Sequence, residues 1–316
     1  MTRGSTGLNV LVTDSVHPIL ISGLESRGFT VDYIPDITLE EVKARIHLYS
    51  GLIINTKIRV DREMLQFAGK LRVVARLGSG KEILDLGALA AKGVSVITTP
   101  EANCNAVAEH GLGLILALIR HIPRANEEVK KFHWIREANR GRELSRMRVG
   151  VLGYGFTGRR FCHLLSSFGC EVKIHDPYIQ FEPEIHRHQK VDHIKDLYDC
   201  DVLSLHVSFM PENHHLIGEK FIQSMVRPFY LLNTSRGRVL DLKALASGID
   251  EGRVAGAALD VLENEQIKGW SESESETHQR LVNSGRVIFT PHIAGWTVES
   301  KFEIAQSVLN QWPDLQ

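Results

Sequence analysis

The sequence predicts an α/β protein made of two doubly wound domains. Residues 9 to 100 alternate short apolar segments with amphipathic ones. Residues 147 to 176 combine two strand-like segments with a glycine-rich turn and an amphipathic segment between them. Strands that alternate with helices form parallel sheets that are covered on both faces. A chain of 316 residues is also long enough for about two domains.

The first domain is predicted from five apolar, β-branched segments separated by helical periodicity. The expected strands are 9 to 13, 30 to 34, 51 to 54, 71 to 75 and 94 to 97. Helices are expected from His17, from Thr38, where Leu39, Val42 and Ile46 share one face, and near residues 62 to 67.

A long, mostly apolar helix is predicted at residues 105 to 121, and a polar helix or loop at 130 to 143. The second domain is then predicted to contain strands at 147 to 152, 171 to 175, 202 to 206, 230 to 233, 255 to 259 and 287 to 289. The serine and glutamate run at 271 to 276 is expected to be a solvated loop or the start of a helix.

The last predicted helix, 298 to 311, is expected to return to the first domain. The first domain should therefore comprise residues 1 to 103 and 296 to 316, and the second domain residues 104 to 295.

The glycine-rich turn has the spacing Gly153-x-Gly155-x-x-Gly158 between a strand and a helix. Gly153 permits the tight turn, Gly155 lets backbone N–H groups approach a pyrophosphate, and Gly158 allows close packing of the helix. Asp176 follows roughly 20 residues later, where a carboxylate can bind a ribose 2′-hydroxyl. Its charge would repel the 2′-phosphate of NADP. The unit therefore predicts a Rossmann domain that binds NAD.

Composition narrows the partners to small molecules. The chain has 37 Lys and Arg against 38 Asp and Glu, so nothing in the charge balance indicates nucleic acid or an anionic membrane. The longest apolar run is too short to span a bilayer and the first residues lack an apolar signal core, so we expect a cytoplasmic protein. The cysteines, Cys104, Cys162, Cys170 and Cys200, lack CxxC spacing, which favours reduced thiols and no metal site.

Seven segments in a fixed order make nearly the whole chain resemble the D-isomer-specific 2-hydroxyacid dehydrogenase family. They are Arg76 to Gly80 (RLGSG), Asn105 to His110 (NAVAEH), the glycine turn with Asp176, Ser204 to Val207 (SLHV), Leu232 to Gly237 (LNTSRG), Ala258 to Glu265 (ALDVLENE) and Thr290 to Gly295 (TPHIAG). The resemblance implies a Rossmann NAD-binding domain beside a flavodoxin-like substrate domain.

The resemblance also implies three catalytic residues. Arg236 would bind the substrate carboxylate and polarise the 2-keto oxygen, Glu265 would pair with the catalytic imidazole, and His292 would be the general acid and base. The chemistry needs these types: hydride transfer at C2 leaves a hydroxyl proton for a group that titrates near neutrality, and a guanidinium stabilises an alkoxide-like oxygen. Singly, each could be an ordinary surface residue. Each, however, follows a predicted strand, at the sheet edge where open α/β sheets bind ligands.

Other positions are implied with less weight. Backbone N–H groups of Leu77, Gly78 and Ser79 would hold the substrate carboxylate, and Ser79 would also approach the cofactor. The remaining cofactor contacts implied by the resemblance are Phe156 and Thr157 at the pyrophosphate, His206 and Val207 at the adenosine, and Thr234, Ser235, Asp260 and Gly295 at the nicotinamide.

The chain departs from the common family pattern in several places. Gln266 follows Glu265 where proline is usual, and Ser208 replaces a common proline. Residues 81 to 85 replace the usual acidic and asparagine segment. Trp296 follows Gly295 where a small residue is usual, which leaves the size of the substrate open.

The best-matching branch resembles short-type D-3-phosphoglycerate dehydrogenases of serine biosynthesis, which lack an appended regulatory domain. Lys57, Arg59 and Arg62 could bind the substrate phosphate or could form an ordinary basic loop. The alternative on the same machinery is a glyoxylate or hydroxypyruvate reductase, whereas a formate dehydrogenase would have glutamine at Glu265. An NAD-sensing, corepressor-like binding protein is the alternative of another class. The resemblance further implies a homodimer formed through residues 105 to 121.

Overall fold

The structure is a computed structural model that describes residues 8 to 180 and 187 to 315. Its chain forms two compact units, which we call the first and second units. The first consists of Met1–Asn103 and Trp296–Gln316, and the second of Cys104–Gly295. In the described part of the chain, no helix combines the length and apolar character that crossing a membrane requires.

The first unit contains a five-stranded sheet in which all strands are parallel. The strands are β1 (Asn9–Val12), β2 (Thr30–Tyr33), β3 (Gly51–Ile54), β4 (Val73–Arg76) and β5 (Ser95–Thr98). Their order is β2-β1-β3-β4-β5, the order of flavodoxin-like sheets. The central strand β3 is buried along its whole length, as expected for a sheet covered on both faces.

The helices of this unit are α1 (Pro18–Ser26), α2 (Leu39–Arg45), α3 (Arg62–Phe67), α4 (Leu86–Ala91) and α11 (Val298–Gln311). Local capping sets where several of them begin. Thr38 forms a capping box with Glu41 at α2, and the side chain of Asp61 accepts a hydrogen bond from the backbone of α3. Helix α4 is not in the sequence prediction, because its six residues are too few to show a helical period.

Helix α11 belongs to the first unit. The Arg27 guanidinium donates a hydrogen bond of 2.8 Å to the carbonyl of Leu309. Trp312, immediately after the helix, is 4% exposed and its ring meets the Phe29 ring edge-on at 6.1 Å. A Cβ on Gly51 would lie 2.7 Å from the Trp312 ring, so the indole fills space that only glycine leaves. The core of the first unit therefore depends on residues from both ends of the sequence.

The second unit contains a seven-stranded, fully parallel sheet. The strands are β6 (Arg148–Leu152), β7 (Glu171–His175), β8 (His188–Lys190), β9 (Val202–Leu205), β10 (Phe229–Asn233), β11 (Val254–Leu259) and β12 (Val287–Phe289). The order β12-β11-β10-β9-β6-β7-β8 is the Rossmann order extended by one strand. The predicted α/β fold class is therefore confirmed. The edge strand β8 was not predicted, because its sequence, HQK, has no apolar signal.

The helices of the second unit are α5 (Cys104–Ile119), α6 (Ile122–Lys130), α7 (Phe156–Leu165), α8 (Glu219–Ser224), α9 (Leu242–Asp250) and α10 (Glu272–Asn283). The prediction of a single helix to His121 is wrong at its end. His121 has φ 55°, a left-handed conformation that stops α5, and α6 starts anew with Pro123 in its first turn. The serine and glutamate run forms the first turn of α10, where Ser271 and Glu274 make a capping box.

Candidate active site

The glycine turn joins β6 to α7, and its three glycines differ in surroundings. Gly153 has φ 96°, and a Cβ there would lie 2.6 Å from the carbonyl oxygen of His206. A Cβ on Gly158 would lie 2.2 Å from the Gly153 carbonyl oxygen. A Cβ on Gly155 would meet no atom within 4 Å. Packing thus requires two of the glycines, whereas Gly155 leaves open space at the start of α7.

Asp176, which follows β7, stabilises the glycine turn through hydrogen bonds of its carboxylate. One carboxylate oxygen accepts a hydrogen bond of 2.7 Å from the backbone N–H of Tyr154. The other accepts from the backbone N–H groups of Tyr178 and Ile179 at 2.9 and 3.1 Å. The carboxylate is only partly buried, so it keeps lone pairs for a further donor.

These residues fit a dinucleotide. Gly155 is the N-cap residue of helix α7 and has no side chain to cap it, so the first N–H groups and the positive dipole end of the helix are available to a pyrophosphate. The open space at Gly155 removes the steric obstacle, and Asp176 offers a negative acceptor for a ribose hydroxyl. Phe156, 54% exposed, and the partly buried Thr157 occupy the first turn of this helix.

The residues after β9 pack against the turn. The Ser204 hydroxyl and the His206 Nε2 are 2.7 Å apart, and the His206 ring lies 4.9 Å from the ring of Phe161 on α7. Burial lowers the pKa of His206 to about 3, so its imidazole is neutral at physiological pH. The Val207 side chain would lie 3.0 Å from a Cβ on Gly153. His206 and Val207 therefore form a neutral wall beside the glycine turn.

Buried polar groups shape the loop after β10. The Asn233 amide oxygen accepts hydrogen bonds from the N–H and hydroxyl of Ser235, at 3.0 and 2.9 Å. Its amide nitrogen donates to the carbonyl of Arg236 at 3.1 Å. The Arg236 guanidinium in turn donates to the Ser235 carbonyl at 2.8 Å. The hydroxyl of Thr234 is buried and has no hydrogen-bond partner among the described residues, which leaves it available to a ligand.

Asp260, at the end of β11, is 2% exposed and anchors the loop after β12. Its carboxylate accepts hydrogen bonds from the Thr290 hydroxyl at 2.5 Å and from the backbone N–H groups of Ile293 and Ala294 at 2.9 and 2.8 Å. Its backbone carbonyl accepts from the N–H of His292 at 2.8 Å. Sequence reasoning expected Asp260 only beside the nicotinamide and missed this anchoring contact, because the pattern ALDV does not reveal what the carboxylate binds.

His292 and Glu265 are in direct contact. The His292 Nδ1 lies 2.9 and 3.0 Å from the two carboxylate oxygens of Glu265, and both side chains are 48% exposed. His292 has φ 55°, an uncommon backbone conformation for a residue other than glycine, which the bonds to Asp260 hold in place. The two residues that the family resemblance pairs thus lie in contact, in the loops after β11 and β12.

The predicted carboxylate cradle of the first unit is smaller than expected. The N–H of Leu77 donates to Ile54 and that of Gly78 donates to Arg76, both at 2.9 Å, because the chain continues the sheet and then turns tightly. Gly78 has φ 133°, which favours glycine. Of the three backbone donors expected at Leu77, Gly78 and Ser79, the Ser79 N–H alone has no described protein acceptor.

Two of the three cations of the basic loop have protein partners. The Lys57 ammonium donates to the Pro35 carbonyl, and Arg62 lies 3.3 Å from Asp85. Arg59 is exposed. Trp296 is 74% exposed.

The four cysteines are free thiols, as the sequence predicts. Burial raises the pKa of Cys170 to about 11 and that of Cys200 to about 12, and raises that of Cys162 further. Cys104 is only partly buried.

Comparisons with known proteins agree with this geometry. A family model described as D-isomer specific 2-hydroxyacid dehydrogenase, NAD binding domain, matches residues 112–294, more than half of the chain. The chain belongs to this family. NAD, the cofactor expected from the glycine turn and Asp176, is confirmed by the same match.

Named relatives are found among both sequences and structures. The chain is 34% identical over 296 residues to a D-3-phosphoglycerate dehydrogenase of Methanocaldococcus jannaschii, and 30% identical over 314 residues to one of Synechocystis. These matches cover 93% and 99% of this chain but only 55% of each relative. A D-lactate dehydrogenase from Aquifex aeolicus, solved with NAD and lactic acid, aligns with TM-score 0.82 at 27% identity, over 96% of this chain and 93% of that one.

Proposed function

We propose that the chain is an NAD-dependent oxidoreductase that interconverts a D-2-hydroxy acid and its 2-keto acid. The contact between His292 and Glu265, in loops at the same sheet edge as the glycine turn, carries this proposal. NAD, when bound, supplies the group that accepts or donates the hydride at C2. The protein then has to move one proton, neutralise one oxygen and hold the carboxylate.

His292 moves the proton. Because Nδ1 faces Glu265, Nε2 is the ring nitrogen left to exchange a proton with the 2-hydroxyl of the substrate. Glu265 fixes the tautomer with the proton on Nδ1, so Nε2 is a base during oxidation of the hydroxy acid. In the reverse direction the protonated Nε2 is the acid, and the nearby carboxylate stabilises the imidazolium.

Arg236 binds the anionic part of the substrate. One arm of the guanidinium is fixed by the Ser235 carbonyl, which orients the planar group. We propose that it binds the carboxylate and stabilises the charge that develops on the 2-oxygen.

For the substrate we propose D-3-phosphoglycerate, which would place the enzyme in the serine biosynthesis of the cytoplasm. The names of the 34% and 30% identical relatives support this choice. Arg59 is the best phosphate ligand in the basic loop, because Lys57 and Arg62 already have protein partners. Those same contacts favour the second candidate, reduction of glyoxylate or hydroxypyruvate, which needs no phosphate site.

The test is a comparison of substrates by NADH absorbance. D-3-phosphoglycerate is oxidised with NAD, whereas glyoxylate, hydroxypyruvate and pyruvate are reduced with NADH. Under our proposal phosphoglycerate has the highest kcat/KM, and Arg59→Ala raises its KM while Lys70→Ala, at another exposed cation of the first unit, does not. Faster turnover of the small keto acids would favour the second candidate. NAD binding without turnover of any of them would favour an NAD-sensing binding protein.

We also propose that two copies of the chain associate as a homodimer. Helix α5, the expected interface, is largely buried inside the second unit. Five exposed apolar side chains lie instead in the following segment, 122 to 135, which we call the apolar arm. They are Ile122, Val129, Phe132, Trp134 and Ile135, with Phe132 97% and Trp134 81% exposed. Several exposed apolar side chains within one short segment are a reason to expect that a partner covers it.

A further inference from the structure

The contact between Glu265 and His292 is exposed, so it needs support from the backbone. Both side chains are 48% exposed. Exposed ion pairs contribute about 0 to 1 kcal/mol, because water screens the charges and two side chains lose conformational freedom. Asp260 provides the support on the side of His292. The segment that carries Glu265 needs corresponding hydrogen bonds.

Asn264 holds that segment through three hydrogen bonds, each of 2.9 Å. Its amide oxygen accepts from the N–H of Gln266, and its amide nitrogen donates to the carboxylate of Glu274. Its backbone carbonyl accepts from the Trp270 indole N–H. The first of these bonds spans Glu265 itself and fixes the backbone on both sides of it. Proline at position 266 would have no N–H for this bond.

The partners of Asn264 are themselves fixed. The Glu274 carboxylate accepts from the hydroxyl and the N–H of Ser271, both at 2.7 Å, in the capping box of α10. Hydrogen bonds from the Ser271 side chain and backbone lower the pKa of Glu274 to about 2, so this carboxylate stays ionised in the neutral range. The His278 ring lies 4.8 Å from the Trp270 ring on one side and 4.8 Å from the Phe289 ring on the other.

We propose that Asn264 is a positioning residue that holds Glu265 against His292 by tying the Glu265 segment to the start of α10. It touches neither the substrate nor the cofactor, and it acts through Glu265. Losing it lets the Glu265 side chain leave the imidazole, so the correct tautomer of His292 is populated less often. This inference rests on the proposed function for its effect on turnover, but its effect on the contact does not depend on any reaction.

The direct test is NMR on the full chain labelled with 15N-histidine. A ring N–H that donates to a carboxylate is protected from exchange with water, and its proton resonates downfield. The His292 signal is identified by its loss in His292→Asn. We expect the signal in the wild type, its loss in Glu265→Ala, and strong exchange broadening in Asn264→Ala. Asn283→Ala is the matched control, because Asn283 lies at the other end of α10 and bonds only Gln279 among the described residues.

Turnover gives the second readout. A misplaced catalytic group costs on the order of 10-fold to 100-fold in kcat, so Asn264→Ala should lose about that much with an unchanged KM for NAD. In the Glu265→Ala background the additional loss should vanish, because the two residues act through one contact. Trp270→Phe, which removes the indole N–H but keeps an aromatic side chain, should show a smaller effect in the same direction and serves if Asn264→Ala does not fold.

The results of these experiments distinguish the positioning role of Asn264 from the proposed function of the protein. An unchanged His292 signal in Asn264→Ala and Trp270→Phe would overturn the positioning role of Asn264, whether or not the protein turns over a hydroxy acid. Independent, additive losses in Asn264→Ala and Glu265→Ala would overturn it as well. Absence of turnover in the wild type, with the signal responding as expected, would instead contradict the proposed function.

Discussion

At the scale of single residues, His292 is held in a backbone conformation that side chains rarely adopt. A φ of 55° in a residue other than glycine costs about 1 to 3 kcal/mol, which the contacts of the buried Asp260 offset. The Asp260 contacts fix the imidazole after β12, with its Nδ1 directed toward Glu265. The strain therefore coincides with the group to which we assign the proton transfer.

Replacing His292 tests that assignment. In His292→Gln the proton acceptor is lost, so kcat should fall by about 10² to 10⁴-fold, the usual contribution of general acid and base catalysis. Affinity for NAD, measured by quenching of protein fluorescence, should be unchanged. The matched control is His163→Gln, because His163 is an exposed histidine on the far part of α7. A His292→Gln enzyme with near-normal kcat would contradict the assignment.

The charge of Asp176 should set the choice between NAD and NADP. Asp176→Asn keeps an acceptor for the Tyr154 N–H but removes the charge that repels a 2′-phosphate. We expect the ratio of the Kd for NADP to that for NAD to fall by roughly 10-fold or more, since one unscreened like-charge contact costs about 1 kcal/mol or more. Isothermal titration with both cofactors measures the ratio, and an unchanged ratio would assign the discrimination to another residue.

The thiols should differ in reactivity according to burial. A raised pKa means that less thiolate is present at any pH below that value, so Cys170 and Cys200, with pKa about 11 and 12, stay protonated at pH 8. Alkylation of the native protein by iodoacetamide at pH 8, followed by peptide mass spectrometry, should modify Cys104 first. Rapid labelling of Cys162 in the folded protein would show that α7 opens far more readily than its packing suggests.

At the scale of elements, the glycines in the turn between β6 and α7 have different roles. We expect Gly153 to be needed for the stability of the fold and Gly155 for the binding of NAD. Gly153→Ala forces a Cβ into the His206 carbonyl at positive φ, so it should destabilise the fold by about 1 to 3 kcal/mol. Gly155→Ala meets no protein atom, so its Tm should stay unchanged while its affinity for NAD drops. Thermal denaturation without NAD and cofactor titration measure the two effects. A lower Tm for Gly155→Ala would mean that this glycine also serves the fold.

The elements also show where sequence reasoning succeeds. Strands β6 and β7 and helix α11 were predicted within a residue, because their apolar period and caps are local properties. Residues 105 to 121 looked like one helix, since nothing in the apolar pattern marks the left-handed turn at His121. For the site, the sequence predicted that Arg236, Glu265 and His292 lie in loops after strands. In the structure Glu265 and His292 lie in such loops and are in contact. The support from Asp260 and Asn264 was not predicted, because its bonds, except the one between Asn264 and Gln266, join residues 6 to 34 positions apart.

At the scale of the whole molecule, the apolar arm gives the clearest expectation for assembly. Trp134→Glu places a charge on the exposed apolar surface, and burying an unpaired charge costs several kcal/mol. We expect a wild-type dimer and a Trp134→Glu monomer in size-exclusion chromatography with light scattering. Val226→Glu, at another exposed apolar residue of the second unit, is the control that should stay dimeric. A monomeric wild type would refute the dimer.

The return of α11 to the first unit has a consequence for the order in which a ribosome could build the protein. When residue 103 has been made, the first unit still lacks Val308, Leu309 and Trp312, all buried in its core. The second unit, residues 104 to 295, is complete before α11 is made, and domains generally fold as they emerge during synthesis. The nucleotide-binding unit should therefore mature first, and residues 1 to 103, although made before it, should complete their core only after α11 has been made.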